Sequence, residues 1–481
     1  MQSTNLKKQA LKTNYMTRGI IEKWGGTSLA TAQQDLLALE HTLTTHQPDS
    51  YTIFVPSGPG KTNNTKEGRK ATDHAYDIVN NINRDTEWHI LTQILQKKIN
   101  DHNLPKETLD SLLTEISTIL QSANIDQQAQ AKIIGVPERA QAKIIYELGI
   151  RNYPQYSFAL LDYNQNGMIG DSSCSSNRDV PIDHHNTLKT IAQQIKTHNL
   201  KGKIAIVPGF IGTKSGTDQM VTLERGTSDG TATYYGAALY ADEVRIFSDQ
   251  NGILPVDPDI IDNLTPLKEL TYREAEAFAG LGAKIINDVA IRPAKERGIL
   301  VRILNSLDLT QQGTNIRANP STDHYGVKAI ANVPGYQLIT VHDMRMNQKG
   351  IAAKVSSLFA DYDLSIDAES DGDSCRTYAI IPNDNTSKLI NQLASLEHRT
   401  TIINRMARIA LIGEGMEYIP HSNAKTADQI LLETLKTQGI PLEMYTHTKN
   451  SVIRSFFIPQ EHTHQAITHL YRAFEFHRNG K

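Results

Sequence analysis

The chain contains the stretch Lys23-Trp24-Gly25-Gly26-Thr27-Ser28, around which we interpret the first part of the fold. Ile20 and Ile21 before it predict the end of a short apolar strand, and the residues from Leu29 onward predict a helix. A strand, paired glycines and a helix N-terminus form a loop whose backbone N–H groups can face an anion. The glycines lack a Cβ that would keep phosphate oxygens away, and Lys23 adds a flexible positive charge. The stretch fits a phosphate-binding loop, and it fits equally a tight strand-to-helix turn with a solvated lysine.

The composition is typical of a folded protein with more than one domain. The 481 residues are 39% hydrophobic and 21% charged, which suits a chain with substantial buried cores. With 49 basic and 52 acidic residues, the formal net charge is −3. This balance argues against a dedicated binder of nucleic acid or of anionic membranes, so we expect neither among the partners.

The cysteine content and the N-terminal residues bear on the cellular compartment in which we expect the protein. Cys174 and Cys375 lie far apart in sequence and form no C-x-x-C or His-Cys cluster. We therefore expect no disulfide framework and no structural zinc site, and a reducing cytoplasm fits best. No apolar run approaches the roughly 20 residues that span a bilayer. Residues 1–18 are polar and lack the apolar core of a secretory signal, so we expect a disordered extension there.

Residues 19–305 alternate short β-rich runs with longer helical ones, which predicts an α/β domain with a mainly parallel sheet. The candidate strands are 51–55, 157–162, 203–207, 243–248 and 300–304. Between 65 and 131 lies a long polar stretch with helical spacing and few glycines. We interpret this polar stretch as exposed helices rather than core, and we assign it no chemistry.

The rest of the chain predicts a linker and a repeat. Residues 306–322 are polar, contain Gly313 and Pro320, and are predicted to form the linker. Two similar units follow at 323–404 and 405–481, each with the element order of a β-α-β-β-α-β ferredoxin-like repeat. The second unit could share a strand within 323–333. The seam between such units can hold a ligand, and plain packing or oligomerisation without a ligand is the alternative.

Glycine-rich and polar loops follow several predicted strands, where α/β sheets place ligands. The loop 57–62 resembles the end of a Walker motif but lacks its first glycine, so we do not predict a true P-loop.

Arg225 could clamp a carboxylate at two points. Ser228 and Asp229 either serve such a site or cap the helix predicted from Thr231. Further loops of this kind are 208–212, 248–253 and 282–284. Two lysines, an arginine and two acidic residues in these loops form a set suited to phosphoryl transfer.

In this order the motifs resemble those of the aspartate kinases of the amino-acid-kinase family. That family carries K-[FY]-G-G-T-S, S-A-x-G-x-T, a G-E segment, G-F-x-G, T-x-G-R-G-G-S-D, T-D-V-x-G-[IV]-Y-x-x-D-P-R and G-A-K-V-L-H, and two ACT domains end its chain. The corresponding stretches here are 23–28, 57–62, 137–139, 209–212, 222–229, 248–259 and 282–287. The resemblance implies an α/β fold, with a three-layer amino-acid-kinase sandwich at 19–305. It also implies two ferredoxin-like ACT domains at 323–404 and 405–481.

The resemblance implies site residues as well, carried over by position. Lys23 would contact the transferring phosphoryl group, and Asp229 would orient the lysine. Glu138 would hold the substrate ammonium group, and Arg225 would clamp its α-carboxylate. The other implied positions are Gly25, Gly26, Ser248, Asp249 and Lys284 for the nucleotide, and Thr62, Asn63, Phe210 and Ser228 for the substrate.

Several residues depart from the family pattern, two of them around Arg225. They are Glu224 and Thr227 in place of glycines, Leu254 in place of tyrosine, Asp259 in place of arginine, and Asn287-Asp288 in place of His-Pro. These departures bear on nucleotide affinity more than on amino-acid recognition, and they indicate a divergent member.

The activity implied is transfer of the γ-phosphoryl group of ATP to the side-chain carboxylate of L-aspartate. The product would be 4-phospho-L-aspartate, on the way to lysine, threonine and methionine. Mg²⁺ would accompany ATP, held by phosphates and water, and we name no protein ligand for it. Two other readings stay open: a non-catalytic amino-acid-sensing paralogue, which Asp259 and the altered glycines favour, and a kinase for another acidic amino acid.

The ACT domains imply regulation and assembly. An amino-acid effector, lysine or threonine, would bind the first ACT domain, and the domains would join chains into a homodimer or a higher homo-oligomer. The effector positions implied are Asn347, Gln348, Gly350, Ile351, Ile366 and Asp367.

Overall fold

The computed structural model of the chain describes residues 19–61, 68–122, 124–281, 288–319, 326–343, 348–372, 374–395, 399–417, 425–448 and 450–474. The chain divides into two compact units. Of the described residues, the first unit contains those up to 253 together with those in 268–272 and 285–318. The second contains 254–267, 273–284 and the residues from 319 onward.

The first unit is built on a mainly parallel sheet. Its strands are β1 (Gly19–Trp24), β2 (Tyr51–Pro56), β3 (Phe158–Leu160), β4 (Ile169–Gly170), β5 (Ile204–Ile206), β6 (Ile211–Lys214), β7 (Met220–Thr222), β8 (Glu243–Ser248), β9 (Glu269–Thr271), β10 (Leu300–Asn305) and β11 (Thr314–Arg317). Eight of them form one sheet in the order β3-β5-β2-β1-β8-β10-β11-β9, and β4, β6 and β7 form a small second sheet. From β3 to β10 the neighbours run parallel, which confirms the predicted sheet.

Helices cover both faces of the large sheet and complete the three-layer sandwich. The helices of this unit are α1 (Ala32–Thr45), α2 (Ala71–Val79), α3 (Arg84–Asp101), α4 (Glu107–Leu120), α5 (Gln127–Ile134), α6 (Val136–Asn152), α7 (His184–Thr197), α8 (Thr227–Leu239) and α10 (Asp288–Arg297), and α9 (Tyr272–Gly280) comes between the last two in sequence. All of α9 after its first residue belongs to the second unit. On one face, Trp24 of β1 packs in a core with Leu39 of α1 and Ile144 of α6. On the other face, α8 packs against β1, β2 and β8 and carries α7 and α10 on its outer side.

The polar stretch 65–131 is helical, as predicted, but it is not a set of exposed helices. Leu91, Leu95 and Ile99 of α3 are between 0% and 4% exposed. Leu109, Leu112 and Ile116 of α4 are equally buried, and all six belong to the largest core cluster of the first unit. The prediction was wrong because the apolar residues of these helices are widely spaced among Gln, Lys and Asn, which cover only the outer faces.

Three further boundaries differ from the sequence-based predictions. The first strand extends through Lys23 and Trp24, and only a short 3-10 turn, Thr27–Leu29, separates the glycines from α1. Helix α8 begins at Thr227 rather than Thr231. Within the predicted linker 306–322, Thr314–Arg317 forms β11, which pairs antiparallel with β10 and parallel with β9. Thr314 and Ile316 are buried while Arg317 is exposed, so this short alternation is a strand despite its polar composition.

The second unit is built on one six-stranded sheet shared by both repeats. Its strands are β12 (Ala329–His342), β13 (Ala368–Asp371), β14 (Cys375–Ile380), β15 (Arg399–Ile412), β16 (Met444–Thr446) and β17 (Ile453–Pro459), in the order β13-β14-β12-β15-β17-β16. Its helices are α9, α11 (Ile351–Asp361), α12 (Thr386–Ser395), α13 (Ala427–Thr437) and α14 (Thr463–Ala473). The long strands β12 and β15 pair antiparallel from Ala329 opposite Ile412 to His342 opposite Arg399.

This pairing supplies the strand that each ferredoxin-like repeat needs to be complete. β14 pairs with the second half of β12, and β17 pairs with the second half of β15. The first half of β15 therefore serves the first repeat, and the first half of β12 serves the second. The shared use of 329–333 agrees with the predicted fold of two ferredoxin-like ACT domains.

Candidate active site

The carboxyl ends of parallel strands meet at one edge of the first unit's sheet. β1 lies between β2 and β8, because the chain builds the sheet first to one side of β1 and later to the other. Such a change in strand order opens a crevice beyond the strand ends, where α/β sheets bind ligands. The loops after β1, β2, β5 and β8 converge on this edge, and among the described residues they carry the predicted site residues Gly25, Gly26, Phe210 and Asp249.

Glycines let the loops after β1 and β2 approach each other closely. The Gly60 N–H donates a hydrogen bond to the Gly26 carbonyl at 2.8 Å. A Cβ on Gly26 would lie 2.6 Å from the Gly58 carbonyl oxygen, which is shorter than real Cβ contacts. Gly26 therefore also serves the packing of the two loops, a role that the phosphate argument alone did not predict.

Lys23 and Asp229 form an ion pair beside the first glycine loop. Side chains alternate along β1, so Trp24 points into the core with α1 while Lys23 points to the face covered by α8. Lys23 Nζ lies 2.8 Å from Asp229 Oδ1, and the two side chains are 13% and 12% exposed. Asp229 is in the first turn of α8, which begins after Gly226 with its φ of +86°. A Cβ on Gly25 would stand 3.5 Å from Lys23 Nζ, so the ammonium group lies against the loop.

Glu138 places a buried carboxylate with spare hydrogen-bonding capacity at the same edge. It lies in the first turn of α6 and is 4% exposed. Thr72 Oγ1 donates to Glu138 Oε1 at 3.1 Å, whereas the buried Oε2 has no hydrogen-bond partner among the described residues. Burial raises the pKa of Glu138 to about 7, and hydrogen bonds from Thr72 and the Gly58 N–H oppose this rise. A buried carboxylate oxygen that no described residue bonds is suited to accept hydrogen bonds from an ammonium ligand.

Arg225 lies in the loop before α8 and is held by residues of α2. Its Nη1 is 3.3 Å from Asp73 Oδ1, and its Cζ stands 4.1 Å from the centre of the Tyr76 ring. The Tyr76 hydroxyl in turn donates to Asp179. The Arg225 side chain is 59% exposed, so its guanidinium group is accessible to a ligand.

The turn that carries Phe210 packs against Ser228 at the start of α8. Ser228 is 8% exposed, and its Oγ would be 2.6 Å from a Cβ on Gly209. Phe210 is 4% exposed and adopts a φ of +67°, a conformation that is rare outside glycine. The Phe210 carbonyl accepts a hydrogen bond from the Leu223 N–H at 2.8 Å, which fixes this turn.

The predicted nucleotide residues are only partly brought together. Ser248 ends β8, and its carbonyl accepts from Ser306 Oγ at 2.8 Å, while Ser28 Oγ donates to Ser306 Oγ at 2.6 Å. Ser306 thus ties the first glycine loop to β8, a link that sequence reasoning missed. Asp249 is exposed just beyond β8. Three predicted positions, Lys284, Thr62 and Asn63, lie outside the described residues.

A second lysine–aspartate pair behind the glycine loop was also missed. Lys98 of α3 donates to the Leu29 carbonyl at 2.6 Å and to Asp35 Oδ1 at 2.9 Å. His102 Nε2 lies 2.8 Å from the same carboxylate, and the Gln141 amide donates to it at 2.8 Å. No sequence signal marked these residues, because their spacing along the chain reveals nothing of their contact in space.

The predicted effector residues of the first repeat lie at the start of α11 and before β13. Gly350 precedes α11 with a φ of +85°, Gln348 lies one turn earlier, and Ile351 is the first helical residue. The Asp367 carboxylate accepts from Tyr336 at 2.7 Å and from Ser365 at 3.1 Å. Ile366 is half-buried next to it. Asn347 lies outside the described residues.

The described residues contain neither a cluster of metal-binding side chains nor a membrane-spanning helix. No group of three or more His, Cys, Asp or Glu side chains in this part of the chain is arranged to hold a metal ion. None of its helices combines the length and apolar character needed to cross a membrane.

The chain belongs to the amino acid kinase family, whose family model matches residues 18–305. Among curated relatives, it is 25% identical to the protein named Aspartokinase 1, chloroplastic, of Arabidopsis thaliana, over 97% of this chain and 82% of that one. It is 24% identical to the Aspartokinase of Bacillus sp. strain MGA3, over 95% of this chain and 97% of that one. Family membership and these relatives support a kinase.

Solved aspartate kinases share the fold. The enzyme from Clostridium acetobutylicum matches with a TM-score of 0.79 at 20% identity, over 95% of this chain and 100% of that one. E. coli aspartokinase III in complex with aspartate and ADP gives 0.76 at 20% identity, over 95% and 100%. The same E. coli enzyme in complex with lysine and aspartate gives 0.72 at 20% identity, over 95% and 99%.

Proposed function

We propose that this chain is an aspartate kinase, which transfers the γ-phosphoryl group of ATP to the side-chain carboxylate of L-aspartate. The products are 4-phospho-L-aspartate and ADP. The observation that carries the proposal is the grouping at one sheet edge of a glycine loop with Lys23, a buried carboxylate with one oxygen that no described residue bonds, and an accessible arginine. The aspartokinases among its relatives, one of them solved with aspartate and ADP, support the same choice.

The amino-acid substrate is recognised through its two invariant charges. Glu138 binds the ammonium group, because Oε2 is buried, faces no other donor among the described residues and accepts strongly once ionised. Arg225 binds the α-carboxylate with its planar fork of N–H groups. Ser228 and Phe210 border the bound substrate, while Thr62 and Asn63 remain predicted contacts. This arrangement leaves the side-chain carboxylate of the substrate as the group that meets the phosphoryl donor.

Phosphoryl transfer to a carboxylate makes few chemical demands on the protein. The acceptor is already ionised at neutral pH, so no general base is required. Lys23 stabilises the charge that develops on the transferring group, and Asp229 fixes the lysine in place. The Gly25 N–H is already donated to the Phe247 carbonyl at 3.1 Å, so the N–H groups that follow it in the loop hold phosphate oxygens. Positioning and charge neutralisation are therefore sufficient for catalysis.

ATP binds across the ends of β1 and β8 in this proposal. Gly25 and Gly26 contact the phosphates, while Ser248, Asp249 and Lys284 serve the nucleotide. Mg²⁺ bound to ATP would neutralise phosphate charge. Since no group of metal ligands was found in the described residues, no protein ligand is assigned to the ion.

The paired ferredoxin-like repeats are proposed to regulate the enzyme through an amino-acid effector, lysine or threonine. The effector positions are those at the start of α11 and around Asp367. A solved relative holds lysine together with aspartate, which supports this class of effector. The repeats are also proposed to join chains into homodimers or larger assemblies. An activity that stays flat in the presence of lysine, threonine or methionine would leave the repeats a purely structural role.

Hydroxylamine trapping tests the reaction directly. The enzyme is incubated with ATP, Mg²⁺ and each of several acidic amino acids, and the acyl phosphate is captured as a hydroxamate. We expect hydroxamate from aspartate alone. Hydroxamate from another acid would identify a different kinase, and none from any acid would favour the amino-acid-sensing paralogue.

A further inference from the structure

Helix α2 touches both side chains proposed to bind the amino-acid substrate. Thr72 Oγ1 donates to Glu138 Oε1 at 3.1 Å. One residue further, Asp73 Oδ1 lies 3.3 Å from Arg225 Nη1. One turn on, the Tyr76 ring lies under the Arg225 guanidinium, 4.1 Å from Cζ to the ring centre. A single turn of helix thus contacts an anion and a cation that come from distant parts of the chain.

The helix is itself fixed at both ends of this turn. The Ala71 N–H donates to the Pro59 carbonyl at 3.0 Å, which ties the start of α2 to the second glycine loop. The Tyr76 hydroxyl donates to Asp179, so the ring cannot swing away from Arg225 without breaking that hydrogen bond. Residues spaced three and four apart on a helix share one face, so Thr72 and Tyr76 move together if the helix moves. The helix therefore sets the separation of the two charged groups.

Thr72 also acts on the charge state of Glu138. The groups that face this carboxylate are its own backbone N–H, the Thr72 hydroxyl and the Gly58 N–H, with the Lys70 ammonium at longer range. Each favours the ionised form against the effect of burial. An ammonium ligand binds the ionised carboxylate, so a weaker donor at position 72 disfavours the form that binds.

We propose that Thr72, Asp73 and Tyr76 are positioning residues that set the spacing and charge of the ammonium and carboxylate subsites, and so fix how the 2-amino-acid end of the substrate is held. This proposal rests on the proposed function of the same site. It gives a role to a part of the polar stretch 65–131 that the sequence left without one.

The first test compares Thr72→Val, which keeps the shape but removes the donor, with Thr72→Ser, which keeps the donor. KM for aspartate, KM for ATP and kcat are measured across the pH range around the Glu138 pKa of about 7. For Thr72→Val we expect aspartate KM to rise about tenfold, from the loss of one hydrogen bond to a charged group. The acid limb of its pH profile of kcat/KM for aspartate moves to higher pH. The kcat and the ATP KM change less than about twofold. Thr72→Ser behaves as the wild type.

The second test separates the ring of Tyr76 from its hydroxyl. Tyr76→Phe keeps the ring under Arg225, and Tyr76→Leu removes it. We expect aspartate KM to rise more in Tyr76→Leu than in Tyr76→Phe, with ATP KM unchanged in both. The proposal is overturned if Thr72→Val leaves aspartate KM and the acid limb unchanged. Equal changes in both substrate KM values would overturn it as well, since they would indicate a general loss of structure.

A ligand-free measurement distinguishes failure of this proposal from failure of the proposed function. Glutamate carboxyl groups are labelled with ¹³C, and the Glu138 signal is assigned by its loss in Glu138→Gln. Thr72→Val should raise the pKa of Glu138 above that of the wild type, because the donor to the charged form is gone. If the wild type makes no hydroxamate from aspartate, the proposed function fails. An unchanged Glu138 pKa in Thr72→Val rejects the positioning role whether or not the wild type is active.

Discussion

Two groups of polar side chains in the first unit differ in how completely the hydrogen bonds of their buried carboxylates are filled. The interior cluster consists of Asp35, Lys98, His102 and Gln141, and the edge cluster consists of Lys23, Glu138, Arg225 and Asp229. In the interior cluster, three side chains converge on the Asp35 carboxylate at 2.8 to 2.9 Å. In the edge cluster, Glu138 keeps a buried oxygen without a partner among the described residues.

The two lysine–aspartate pairs have the same length and different surroundings. Lys98 Nζ and Asp35 Oδ2 are 2.8 Å apart, with side chains 4% and 0% exposed. Lys23 Nζ and Asp229 Oδ1 are also 2.8 Å apart, but their side chains are 13% and 12% exposed. The interior pair is bonded to protein groups instead of water. Lys98 links α3 to Asp35 of α1 and to the Leu29 carbonyl, and Gln141 adds α6 through the same carboxylate. The edge pair keeps access to a ligand, so the same chemistry serves structure in one place and binding in the other.

The largest effect is expected from breaking the interior pair. Lys98→Met leaves the Asp35 charge buried without its cation, which costs about 3–5 kcal/mol of unfolding free energy. Both tryptophans, Trp24 and Trp88, lie in the first unit, so fluorescence during urea unfolding reports on that unit. The double variant Lys98→Met/Asp35→Asn should recover much of the loss. A change below about 1 kcal/mol in the single variant would show that the pair does not hold the fold.

The next effect tests the edge pair by the same substitution. Lys23→Met should remove roughly 3–4 kcal/mol of transition-state stabilisation and lower kcat by about a hundredfold or more. Unfolding free energy should change much less than in Lys98→Met, because the edge pair is partly solvated. The measurement is hydroxamate formation at saturating substrates beside urea unfolding. Normal turnover in Lys23→Met would remove this lysine from the mechanism.

The pH dependence of the unfolding free energy tests the raised pKa of Glu138. Its pKa is raised by burial from 4.5 to about 7, so the folded state binds this proton more tightly than the unfolded state. The resulting stability is fully present below pH 4.5 and is lost as pH rises through about 7. Relative to Glu138→Gln, the unfolding free energy of the wild type should fall by about 1.4 kcal/mol per pH unit across that window. If the unfolding free energies of the two proteins ran parallel with pH, the raised pKa of Glu138 would be contradicted.

The smallest effect concerns Arg225, the most exposed member of the edge cluster. Arg225→Ala should lose about 2 kcal/mol of aspartate binding, which raises aspartate KM about thirtyfold. The kcat and the ATP KM should stay close to the wild type. Arg225→Lys is the matched control: it keeps the charge without the planar fork, so we expect an intermediate KM. An unchanged aspartate KM in Arg225→Ala would reject the clamp.

The sequence predicted the edge cluster better than the interior cluster. Lys23 and Asp229 lie in local patterns, a strand followed by glycines and a helix start, whose chemistry is visible over a few residues. Their contact confirms that the two patterns meet, and it follows from parallel strands sharing one edge. Which roles these side chains have in catalysis stays a prediction.

The interior cluster and α2 could not be predicted from local patterns. Lys98 looks like a solvated residue in a polar helix, and only the fold shows that it is 3% exposed beside Asp35. Thr72 likewise carries no signal until Glu138, far along the chain, is placed beside it. The strand Thr314–Arg317 was missed for a related reason, because a short polar segment becomes a strand only when neighbouring strands accept its hydrogen bonds.

The long strands β12 and β15 have a consequence for how the second unit folds and evolves. The first repeat closes its sheet with its own residues 399–403, whereas the second repeat needs 329–333, which come before the rest of the first repeat in the chain. A chain cut between the repeats would expose two unpaired backbone edges at once. The pair is therefore expected to fold and melt as a single cooperative body, and a domain exchange between homologues would have to move both repeats together.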